Sequence, residues 1–208
     1  MSESHGVPEI PAGLLSGLAE VSFEDRMLGR SPDDGSGTGA FVRIWRSVLE
    51  EDKSAGLVPF PGPFTVLAAS EDGMRLVVPC DLPNPFRGDP EFQRAFIRRH
   101  VLTETVELTD GRFSSGGQAR RLDGGYLSLS MDEGRPAFVL DDRPPQVATP
   151  VPEQDPKATV YTIDIPLMTF DEIMEGIRRL KPRPWFCGRR PGLDEGDEPS
   201  APDPEENQ

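Results

Sequence analysis

Cysteine is almost missing from this chain of 208 residues: Cys80 and Cys187 stand far apart and form no CxxC pair. That excludes a cysteine-based zinc site and a disulfide framework, and leaves either two free thiols or one long-range bridge. Histidine is equally scarce, with His5 and His100 alone, so imidazole chemistry has a single candidate away from the N-terminus. Positive charge is in deficit. At a formal net charge of −14 the chain lacks the clustered Lys and Arg that would neutralise nucleic-acid phosphates or an anionic lipid surface. No apolar stretch is long enough to span a bilayer. The N-terminal residues are acidic where a signal peptide would be basic, and no apolar run follows. The reading is therefore cytoplasmic as the sequence stands, and extracellular if a signal has been removed. Repeats, a Walker or dinucleotide fingerprint, EF-hand spacing and a nucleophile elbow are all absent.

What is present is periodic. Phe41, Ile44, Trp45, Val48 and Leu49 form the apolar stripe of an amphipathic helix. Pro59, Pro61 and Pro63 then force an extended turn before a β-favouring run at 64–68. Ser70 is placed to cap a short helix over 71–77. Three prolines make 79–88 a loop, and Asp89-Pro90-Glu91 opens a further helix with apolar positions Phe92, Ala95, Phe96 and Val101. Strand-like pieces follow at 106–108, 126–131, 137–140 and 159–165, separated by Gly, Pro and Asp clusters. Thr169-Phe170-Asp171-Glu172 reads as a capping box for a last helix carrying Phe170, Ile173, Met174, Ile177 and Leu180. At the two ends, 12–28 holds Leu14, Leu15, Leu18, Val21 and Phe23 and predicts a short helix before a glycine-rich linker. Beyond Pro191 almost nothing is apolar, which predicts a disordered acidic tail.

Three stretches in this order carry a resemblance. Phe64-Thr65-Val66-Leu67-Ala68 follows the first helix, Arg99-His100-Val101-Leu102 closes the second, and Val160, Ile163, Asp164 and Leu167 mark a closing strand. Together they resemble the three motifs of the fasciclin-like (FAS1) domain, with Ala69 in place of a usual proline and Arg99 in place of a usual tyrosine. The resemblance implies an α+β fold in which a wedge of short strands is flanked by helices. It covers a fasciclin-like domain over 40–168; outside it the residues themselves give an N-terminal extension over 1–39, a C-terminal amphipathic helix over 169–182 and an acidic disordered tail over 183–208. It also implies a non-catalytic binding module for cell adhesion, contacting a protein or extracellular matrix component.

The alternative is an intracellular binder of an apolar small molecule, or an auxiliary biosynthetic protein, using a pocket of the same fold. An active site of its own is the weaker reading, because no acid, base and nucleophile stand in a recognisable pattern. No cofactor and no metal are expected. Phe64, Thr65, His100 and Asp164 are the expected structural residues, with Asp164 buried in its strand and paired to a donor. Arg99, His100 and the aromatic pair Trp185 and Phe186 are the candidate binding residues. Arg94, Arg98, Arg99, Arg120 and Arg121 raise the alternatives of a solvated surface or a patch for an acidic partner.

Overall fold

The computed structural model describes residues 5–16, 37–141, 143–151 and 156–180. In chain order its elements are α1 (Ala12–Ser16), α2 (Gly39–Ser54), β1 (Phe64–Ala69), α3 (Glu71–Leu76), α4 (Pro85–Gly88), α5 (Pro90–His100) and β2 (Val101–Leu102). There follow α6 (Arg112–Ser115), β3 (Gln118–Arg120), β4 (Tyr126–Asp132), β5 (Arg135–Val139), β6 (Gln146–Val147), β7 (Thr149–Pro150), β8 (Ala158–Ile163) and α7 (Phe170–Arg179).

The run Phe-Thr-Val-Leu-Ala-Ala has no polar atom beyond one hydroxyl, and all six residues of β1 are buried. Such a strand belongs in the middle of a sheet covered on both faces. It pairs in parallel with β8 from Phe64 opposite Ala158 to Ala69 opposite Ile163, and antiparallel with β2 through Thr65 and Val66. The sheet order is β2-β1-β8-β7. A second, antiparallel sheet runs β3-β4-β5-β6. Its central hairpin turns through Glu133 and Gly134, both at positive φ, as a two-residue turn between right-twisted strands requires. Phe138 of β5 lies 6.2 Å from Tyr161 of β8, where the two sheets share one core. The fold is α+β, as expected, and the three stretches that carried the resemblance meet at the first sheet.

The helices cover that sheet for legible reasons. α2 buries Phe41, Val42, Ile44, Trp45, Val48 and Leu49, and Asp52 at its end accepts the Val7 N–H at 2.9 Å. Trp45 Nε1 donates to the Pro8 carbonyl at 3.0 Å, so the 5–16 segment is stitched onto α2, with Val7 and Leu14 in the core. Ser70 caps α3 by accepting from the Gly73 N–H, and Asp89 caps α5 by accepting from the Phe92 N–H. Thr169 and Glu172 form the full capping box of α7.

Several expectations need correction. The 79–88 loop contains the one-turn helix α4, because Asn84 and Pro85 supply a cap and an N1 proline at short range. The 106–108 strand does not form; Val106 instead donates its N–H to the Thr65 hydroxyl. On α5, Ala95 is exposed and the buried face is Phe92, Phe96, Ile97 and His100. Phe170 is 60% exposed, since α7 buries only its middle, at Ile173, Gly176 and Ile177. Among the described residues no helix is long and apolar enough to cross a membrane.

Candidate functional site

His100 is wholly buried at the end of α5, where Phe41 and Phe96 pack against it at ring distances of 5.7 and 4.4 Å. Its Nδ1 lies 2.8 Å from the Phe96 carbonyl, and its Nε2 accepts the Leu167 N–H at 2.9 Å. One nitrogen must therefore donate and the other accept, which fixes a neutral imidazole with the proton on Nδ1. Burial pushes its pKa down to about 3, against a smaller upward pull from the Phe96 carbonyl. Both nitrogens are occupied by backbone, so this ring has no atom free for proton transfer, and contact with a partner is closed to it in this conformation.

Arg99, expected to bind, is held inside the molecule. Its guanidinium pairs with Glu172, the capping-box residue of α7, and with Asp123 at 3.4 Å. The other arginines of the expected basic patch also point to intramolecular partners. Arg94 pairs with Glu51 and Asp52, and Arg98 donates to the His5 and Leu122 carbonyls. Arg121 is nine-tenths buried, with Nε 3.1 Å from an Asp123 oxygen that lies off the N–H direction, and its Nη1 has no hydrogen-bond partner among the described residues. Burial lowers its pKa below the usual guanidinium range. Arg120 alone of this group is exposed.

Thr65 is buried and serves two backbone groups, donating to the Glu104 carbonyl and accepting from the Val106 N–H, both at 2.9 Å. Phe64 sits at the start of β1 within the core. Asp164 departs from expectation: it falls just past the end of β8 and is exposed. Its part is played by the backbone, since the Ser70 hydroxyl donates to its carbonyl at 2.8 Å and Gly73 packs against that same oxygen. Trp185 and Phe186 lie outside the described residues.

A surface cleft of about 390 Å³ opens among α2, α3, α4 and α5. Its floor is apolar, formed by Ile44, Met74 and Phe86, all less than a tenth exposed. Phe86 is in turn fixed by edge contacts of 5.0 Å to both Phe92 and Phe96, so the floor is rigid and continuous with the packing around His100. The rim carries Arg43, Arg75 and Arg87 together with Glu71. Arg75 pairs with Glu71 at 2.6 Å and Arg43 approaches it at 3.7 Å, while both keep more than half of their side chains in solvent. Arg75 also lies 3.7 Å from Asp72. Three cations against two acids leave a locally positive, apolar-floored cleft on a strongly acidic chain. Sequence reasoning missed it, because its arginines come one each from three separate helices and form no run. Among the described residues no group of three or more His, Cys, Asp and Glu could hold a metal ion.

No family's sequence model matches the chain, and no curated protein matches it. Among solved structures, the fold is similar to a FAS1 domain pair from the insect cell adhesion molecule fasciclin I, at 15% identity and a TM-score of 0.45. The similarity covers 62% of this chain and 48% of that one, so this chain spans about half the length of the structure it matches.

Proposed function

We propose that this protein is a non-catalytic binding module of fasciclin-like type, with 40–168 as its unit, and that the cleft among α2, α3, α4 and α5 is its contact surface. The carrying observation is the combination of a rigid apolar floor with three arginines at the rim. An apolar floor gives a partner's aromatic or aliphatic side chain somewhere to be desolvated, and the rim selects acidic neighbours and speeds encounter. The partner class is therefore a protein segment with aromatic residues next to carboxylates. A volume of this size also falls in the range of small-molecule sites. A small acid with an apolar body is the second reading.

The test is fluorescence anisotropy of a labelled peptide carrying a Trp-Phe pair and an acidic run, added to the full chain. Binding should weaken as salt is raised, and it should fall about tenfold in an R43E/R75E/R87E variant, each exposed pairing being worth about 0.2–1 kcal/mol. Binding that ignores both changes would remove the cleft from the account. A small aromatic acid that competes with the peptide would favour the second reading.

A further inference from the structure

The cleft has a candidate occupant in the same chain. α7 ends beside it: the Leu180 side chain lies 3.1 Å from where a Cβ on Gly88 would stand, and Gly88 closes the one-turn helix whose Phe86 and Arg87 line the cleft. Residues 181–208 therefore continue from Leu180, next to this end of α4. Trp185 and Phe186 follow within five or six residues, an extended reach of about 17–20 Å. After them, Asp194, Glu195, Asp197, Glu198, Asp203, Glu205 and Glu206 make a run of carboxylates with no cation among them. Lys181, Arg183, Arg189 and Arg190 put the aromatic pair itself in a basic stretch. The attraction to the rim thus comes from the acids beyond residue 193, while the pair supplies the apolar contact.

We infer that residues 181–208 dock in this cleft, with Trp185 and Phe186 on the Ile44, Met74 and Phe86 floor and the acidic run against Arg43, Arg75 and Arg87, so that the chain's own C-terminal segment competes with its partner. This rests on the cleft being the contact surface. Tethering makes the competition effective without tight binding. At an effective concentration of about 1 mM, a segment with a free-peptide Kd of about 0.1 mM fills about nine clefts in ten and weakens a competitor about tenfold.

The experiment uses the full chain labelled with 5-fluorotryptophan, which gives one resonance from buried Trp45 and one from Trp185. The Trp185 resonance should be shielded from a soluble paramagnetic agent. It should lose that shielding in R43E/R75E/R87E and, with no mutation at all, in high salt, while the Trp45 resonance stays unchanged as the reporter of folding. Equal access of the agent to Trp185 in every condition would overturn the inference. Shielding that grows with protein concentration would overturn it too, by making a second copy the occupant.

A parallel titration separates this inference from the reading beneath it. The labelled peptide should bind a full-length W185A/F186A chain about tenfold more tightly than the unaltered one. Equal binding to both would refute the docked segment and leave the cleft standing as a contact surface. Binding to neither would refute both.

Discussion

Replacing His100 with Gln isolates a proton. Glutamine offers an acceptor for the Leu167 N–H and a donor for the Phe96 carbonyl, the two bonds the imidazole makes, but it does not titrate. In the native chain burial lowers the His100 pKa from 6.5 to about 3, so below pH 6.5 the unfolded state takes up a proton that the folded state refuses. Stability from this group is thus fully present above pH 6.5 and drains away as pH falls toward 3. Linkage gives a loss of about 2 kcal/mol between pH 7 and pH 5, an average of about 1 kcal/mol per pH unit that steepens toward about 1.4 near pH 5. Carboxylates shared by the two chains titrate alike and cancel in the difference. Urea unfolding of both chains at pH 7, 6 and 5 reads it directly. H100Q should start less stable, through lost packing against Phe41 and Phe96, and the gap should shrink by about 2 kcal/mol toward pH 5. Curves that stay parallel would refute a buried, neutral, doubly bonded imidazole.

Thr65→Val keeps the shape but strands the Val106 N–H and the Glu104 carbonyl, and should cost about 2–4 kcal/mol in urea unfolding; a loss under about 1 kcal/mol would mean water replaces the hydroxyl. Gly73→Ala drives a methyl into the Asp164 carbonyl oxygen, a backbone atom with no side-chain freedom to yield. It should destabilise by about 1–3 kcal/mol or more and loosen α3, read as faster hydrogen exchange at Met74; unchanged exchange would show that the approach is not tight. Asp52→Ala removes the acceptor of the Val7 N–H and one partner of Arg94. Protection of the Val7 amide should fall while that of β1 holds, and intact protection at Val7 would count against the stitch.

The strongly periodic and capped parts of the fold were legible in the sequence. α2 follows from its 41, 44, 45, 48, 49 stripe, and α3, α5 and α7 from Ser70, Asp89 and Thr169, because those caps act on amides only two or three residues away. β2, β3, β6 and β7 were not legible, since two or three residues are too few to show an alternation. The misplacement of Asp164 has a related cause. An apolar strand next to an acid suggests a buried carboxylate, but β8 ends at Ile163 and leaves the side chain in solvent. Arg99 looked available because its partners, Asp123 and Glu172, are distant in sequence and are brought to it only by tertiary packing. The cleft was invisible for the same reason in reverse. Arg43 and Arg75 fall on expected helices and Arg87 in the expected 79–88 loop, and only the meeting of α2, α3 and α4 makes them a rim.

Amide chemical-shift mapping of the full-length W185A/F186A chain, titrated with the Trp-Phe acidic peptide, tests the central claim most directly. The account predicts saturable shifts concentrated at Ala40, Arg43, Ile44, Met74, Arg75 and Phe86, the residues of the cleft. Shifts centred on the β3-β4-β5-β6 sheet, or no shifts at all, would contradict it.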